Sequence, residues 1–204
     1  MQITSATRSI ATTRAVARCL ALSSFLLILG CHSFRAENEP TTRLDTGTGA
    51  TVANANELMV FARLDARYSR STRDYVYLAP AETNRQGLRE YFLWVGVGST
   101  LDRGYLAPET ALPTRLEFTI RDEPMEFELM RWPPAYLSAD SANLFDTPVA
   151  LRGQLAAPVT LDQLALIDAN RPTSIRVRDA NGPLREFAIW PTSSSWSQFL
   201  AQRR

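Results

Sequence analysis

The chain is sparing with the side chains that do most protein chemistry. One histidine, His32, and two cysteines, Cys19 and Cys31, are all the imidazole and thiol it has. His32 and Cys31 stand side by side at the end of Phe25-Leu26-Leu27-Ile28-Leu29-Gly30-Cys31-His32. All 22 basic residues are arginine. Without lysine there is no Walker A phosphate loop, no Schiff-base chemistry and no Ser-Lys hydrolase.

Carboxylates are the remaining catalytic material. Glu126 and Glu128 alternate along Glu126-Phe127-Glu128, so on a strand they share one face about 7 Å apart. That separation lies within the range that paired acids need for glycoside cleavage. The same pattern is also what any solvated strand face shows, and no cleft signal accompanies it. Binding chemistry is better supplied. Trp132 and Trp190 each end an alternating segment and each precede a proline, and Tyr136 follows Trp132 closely. By alternation both indoles lie opposite the Phe and Ile core, where they could stack on a sugar or fill a partner's pocket, or be covered by a loop.

The segment Cys19–Leu29 is apolar over 11 residues, against about 20 for a membrane-crossing helix. Arginines 8, 14 and 18 precede it, no acid occurs before Glu37, and Gly30 ends it, which is the layout of a secretory signal peptide. Ile28-Leu29-Gly30-Cys31 resembles the lipobox of bacterial lipoproteins, with Ile28 where Leu is commonest and Leu29 where a small residue is. The resemblance implies cleavage before Cys31 and lipidation of its thiol, leaving Cys31 as the first mature residue. His32 in the position after it implies sorting to the outer membrane. Cys19 would be discarded, so the mature chain would hold no free thiol or disulfide, and its one imidazole would sit beside the lipid. Ser-His-Asp and Cys-His catalysis and His/Cys zinc sites would then lack parts.

After Cys31 the chain carries 19 basic and 21 acidic residues, a net of −2. A nucleic-acid partner is not expected from such a balance. Arg63, Arg67, Arg70 and Arg73 are spaced as on one helical face, but the intervening Ser69, Ser71 and Thr72 favour a solvated loop or hairpin end. Residues 31–56, short of large apolar side chains, read as a lipidated cysteine and flexible tether after a signal peptide at 1–30. Residues 57–204 suffice for one domain with its own core.

Within that domain, period-2 alternation predicts half-buried antiparallel strands. Leu116, Phe118 and Ile120 share one face, as do Ile175 and Val177, and Phe187 and Ile189. Asn181-Gly182 predicts a tight hairpin, and Pro124 a turn between the earlier pair. Tyr91–Val97 is apolar on both faces and predicts a central strand covered on each side, hence two layers. Thr160 with Gln163, and Ser195 with Gln198, have the spacing of capping boxes. The expected fold is mainly β: an antiparallel β-sandwich-like domain with two or three short helices, with a compact α+β domain as the alternative. The expected function is that of a non-catalytic envelope lipoprotein, anchored through Cys31, without cofactor or metal, contacting an envelope protein partner. The alternatives are glycan recognition through Trp132, Tyr136 and Trp190, and a carboxylate hydrolase.

Overall fold

The computed structural model describes residues 39–65, 69–101, 112–179, 182–191 and 195–204. The signal segment and the lipobox-like Cys31 lie outside the described residues, as does Arg67. The class is mainly β, with the described residues forming eleven strands of one antiparallel sheet and two short α-helices. The strands are β1 Thr41–Leu44, β2 Thr51–Asn54, β3 Met59–Leu64, β4 Arg73–Arg85, β5 Leu88–Ser99, β6 Pro113–Ile120, β7 Glu123–Glu128, β8 Met130–Arg131, β9 Leu151–Val159, β10 Ser174–Asp179 and β11 Leu184–Ile189. Helix α1 spans Leu161–Ala169 and helix α2 spans Ser197–Ala201.

The sheet runs β7-β6-β10-β11-β3-β4-β5-β9-β8. Its two ends are the same stretch of chain: β7 pairs with β6, and after the single residue Leu129, β8 pairs with β9. That continuity curls the sheet into a nearly closed eight-walled barrel in which every neighbour is antiparallel. The two facing layers expected from Tyr91–Val97 are therefore opposite walls of one sheet. Closure also spares the sheet the long exposed edges that invite pairing with other chains.

Alternation decides what each wall buries. Along β5, Leu93 and Val95 point into the barrel, where Phe61, Leu78, Phe118, Ile175 and Phe187 meet them. Phe92 and Trp94 point outward into a second cluster with Val52, Tyr77, Trp132, Leu137 and Leu144. The segment between β8 and β9 thus forms an outer layer over β4, β5 and β9, which explains why β5 is apolar on both faces. Helices α1 and α2 close one end of the barrel with Leu164, Ile167, Phe199 and Leu200. Trp196, just ahead of α2, is buried with them.

Four expectations need correction. Residues 41–54, read as tether, form β1 and β2, and β2 continues the edge of β4 beyond the end of β3. Small side chains made this segment look unstructured, yet Ala50 and Val52 pack in the outer cluster and Ala53 in the barrel core. The β6–β7 turn is Arg121-Asp122, both at positive φ (52° and 66°), while Pro124 lies inside β7 opposite Thr119. Helix α2 has no side-chain cap: the Ser195 hydroxyl accepts from the Ser197 N–H, and the Trp196 N–H donates to Asp168 of α1. Ile189 is also 36 % exposed rather than core, because β11 ends there.

Candidate functional site

The aromatic candidates separate. Trp132, where the chain leaves β8, is only 6 % exposed. Its ring meets the edge of Phe92 at 5.6 Å, and its Nε1 donates to the Ser141 carbonyl at 2.9 Å. Both the apolar body and the polar N–H are spent inside the protein, so Trp132 presents no stacking platform. Tyr136 is half-buried beside it, with its hydroxyl 3.0 Å from Thr83 Oγ1 and the Arg85 guanidinium 4.9 Å from the ring centroid. Burial foremost, and a hydrogen bond with Glu90, push its pKa up to about 12.

Trp190 differs, being 42 % exposed just past the end of β11. Tyr75 of β4 holds it edge-on at 6.4 Å, and the Arg73 guanidinium lies 5.4 Å over the ring. Leu64 of β3, paired in register with Arg73, is 49 % exposed and extends the same outer face. The structure therefore does not join Trp132, Tyr136 and Trp190 in one exposed patch. What reaches solvent is Trp190 with Tyr75, Arg73 and Leu64, and the last three carried no sequence signal pointing to Trp190, from which they are more than a hundred residues away.

The carboxylate pair sits on a solvated wall. Glu126 is paired with Arg115 at 2.7 Å, both about half exposed. Glu128 stands opposite Arg115 on the neighbouring strand. Next to them Glu117 bridges Arg176 (3.4 Å) and Arg178 (3.7 Å) of β10. This is a cross-strand charge ladder, in which opposite charges on facing residues stabilise pairing modestly.

A second constellation lies at the barrel end away from the helices. Asp74 of β4 and Asp179 of β10 are buried, at 6 % and 8 % exposure. Asp179 accepts from Arg185 Nη2 of β11 at 2.6 Å, and both side chains are largely covered. Asp74, Arg185 and Arg152 line a small recess of about 20 Å³, with Val76, Val97, Val177, Leu112 and Phe187 as its apolar wall. Arg152 reaches it because the β5–β9 register shifts by one residue beside Gly98. Gly153 makes room for the wall, since a Cβ there would overlap the Leu112 side chain.

Alternation carried this cluster in plain view. Asp179 keeps step with Ile175 and Val177, and Arg185 with Phe187, so both belong to the core-facing parity. A charged residue continuing a buried face at a strand end is the signal that points to the mouth. Among the described residues no group of three His, Cys, Asp or Glu side chains is placed to hold a metal ion. No described helix is long and apolar enough to cross a membrane. No family model, curated protein or solved structure gives a significant match to the chain.

Proposed function

We propose that the protein is a lipid-anchored bacterial envelope protein whose β domain binds a protein partner rather than turning over a substrate. The observation that carries this reading is Ile28-Leu29-Gly30-Cys31 at the end of an 11-residue apolar segment preceded by arginines, which supports an anchor at Cys31, with His32 after it favouring the outer membrane. The residues between Cys31 and β1 number only nine, so the connection to the folded domain is shorter than residues 31–56 suggested. The exposed Trp190, flanked by Tyr75, Arg73 and Leu64, supports the binding role, because Trp, Tyr and Arg are the residues that most often dominate interface energetics.

Intact and N-terminal peptide mass spectrometry of the detergent-extracted protein tests the anchor. A mature chain that begins at a diacylglycerol-bearing Cys31, lost in Cys31→Ala, is the expected result. Survival of unmodified residues 19–31 would overturn it. Crosslinking in intact envelopes then tests the partner, with a discrete protein adduct expected for the native chain and a much weaker one for Trp190→Ala. Glycan recognition is the second reading, favoured by the same exposed indole, and predicts instead that soluble muropeptides abolish the association.

A further inference from the structure

We infer that one rim of the sheet, where the β1–β2 turn meets the tip of the β4–β5 hairpin, rests on a phospholipid surface with Leu44 and Leu88 seated among the headgroups. The inference rests on the anchor at Cys31 proposed above, and adds which face of the domain that anchor holds against the membrane. Among the described residues, Leu44 and Leu88 are the most exposed large apolar side chains, at 60 % and 58 %. Strand register brings them to the same end of the sheet: Leu44 is opposite Thr51, Thr51 is opposite Asn84, and Arg85, next after Asn84, is opposite Leu88. Three strand spacings, about 15 Å, separate them. They stand on opposite faces, because Leu88 keeps step with Thr83 and Val52 on the outer-layer side, whereas Leu44 follows Thr51 and Asn84 on the other. A partner lying on either face would meet one leucine, but a surface lying across the strand ends meets both.

The place of the anchor in the chain selects this rim. Nine residues lie between Cys31 and Thr41, and at full extension they span at most about 35 Å. Thr41 is in register with Asn54, and through it with Ala81 of β4. From Ala81 the rim at Asn84 is three residues along the strand, about 10 Å. Arg73 and Leu64, beside Trp190, are eight residues away in the opposite direction, about 27 Å. A membrane against the rim therefore takes up little of the connection's reach, while one against the Trp190 end takes up most of it. Side-chain chemistry agrees, since the hairpin tip carries Arg85, Gln86, Leu88 and Arg89 and no acid. Arg85 lies over the Tyr136 ring, and Arg89, 3.6 Å from Glu82, is still 51 % exposed, so its stem can lie beside the leucine while the guanidinium meets phosphate. Of the nearby acids, Glu82 is held by Arg203, Asp45 is buried against Ser138 and Ser141, Glu90 engages Tyr136, and Asp140 accepts from Thr46. Leucine flanked by arginine is the composition of segments that lie in the headgroup layer of anionic membranes. This seating turns the Trp190 surface away from the lipid.

Paramagnetic broadening tests this on the protein extracted from envelopes and reconstituted in nanodiscs of phosphatidylethanolamine and phosphatidylglycerol that contain a nitroxide-headgroup lipid. The Leu44 and Leu88 methyl resonances should be lost, while those of Leu64 and the Trp190 Nε1–H persist. In Leu88→Asp, a change at an exposed position, the Gly87 N–H and Leu44 methyl signals should return, because a carboxylate resists burial among the headgroups. Mass spectrometry of the same sample reads the anchor separately. An acylated chain that loses the Leu64 and Trp190 signals instead, or that broadens evenly over the domain, overturns this inference and leaves the anchor reading intact. A chain without acyl groups at Cys31 overturns both. The comparison within the native chain decides the face even if the variant fails to fold.

Discussion

Asp45 fastens two pieces of chain almost a hundred residues apart. Its Oδ1 accepts from the Gly47 and Thr48 N–H groups in the β1–β2 turn, and its Oδ2 accepts from the Ser138 N–H at 2.8 Å and the Ser141 hydroxyl at 2.5 Å. The Ser141 bond above all, with Ser138 and Thr48 adding to it against the opposing effect of burial, holds the Asp45 carboxyl far below the usual carboxylate range. A group with a depressed folded pKa stabilises the fold fully above its unfolded value, about 4, and loses that contribution as pH falls toward the folded value. Urea midpoints should therefore drop between pH 5 and pH 2 by more in the native chain than in Asp45→Asn, which should be the less stable of the two at neutral pH. Equal pH dependence of both chains would show that Asp45 is not the responsible group. Gly96 is a second single-residue test. A Cβ there would lie 2.5 Å from the Trp94 ring, which is wedged between Phe145 and the sheet, so Gly96→Ala should cost on the order of 1–3 kcal/mol in chemical denaturation.

At the scale of elements, local chemistry wrote some boundaries and tertiary contacts wrote others. Helix α1 begins where the sequence says it should: Thr160 Oγ1 accepts from the Gln163 N–H at 3.1 Å, and the Gln163 side chain accepts from the Thr160 N–H at 2.8 Å. Thr160→Ala should lower stability by about 0.5–2 kcal/mol, read as a shift in the urea midpoint at unchanged slope. The same spacing at Ser195 did not make a capping box, because Asp168 of α1 captures the Trp196 N–H and moves the start of α2. Pro124 misled for a related reason. Arg121 and Asp122 tolerate positive φ here with Arg121 Nε donating to Asn170 at the end of α1, and the hairpin then needs only two turn residues.

At the scale of the whole molecule, the fold depends on keeping the helical end of the barrel closed. At the helical end, Arg203 donates to Glu82 at 2.8 Å while its guanidinium lies 4.1 Å from the centroid of Phe199, and both charged side chains are under 10 % exposed. Arg203→Met should strand Glu82 in a buried position and cost about 3 kcal/mol, at the low end for a broken buried pair because Arg89 remains 3.6 Å away. Hydrogen exchange should speed most at α2 and at the adjoining end of β4. Uniform exchange across the barrel would indicate instead that the C-terminal helix is not a separately held element.

What the amino-acid sequence determined by itself is local in origin. Period-2 alternation at Leu116–Ile120, Ile175–Val177 and around Phe187, the doubly apolar Tyr91–Val97 and the Thr160 cap specified strands, a covered central strand and a helix start, because each rests on neighbours within a few residues. Trp132 and Trp190 look alike in that code, both following a strand and preceding a proline, and only the tertiary structure told them apart. The outer layer between β8 and β9 buries the first, while the second stands past the last residue of its strand. The barrel mouth was decided in the same way. Asp74, Arg152, Asp179 and Arg185 come from four strands, and their meeting depends on a closed sheet whose register no short window of sequence contains.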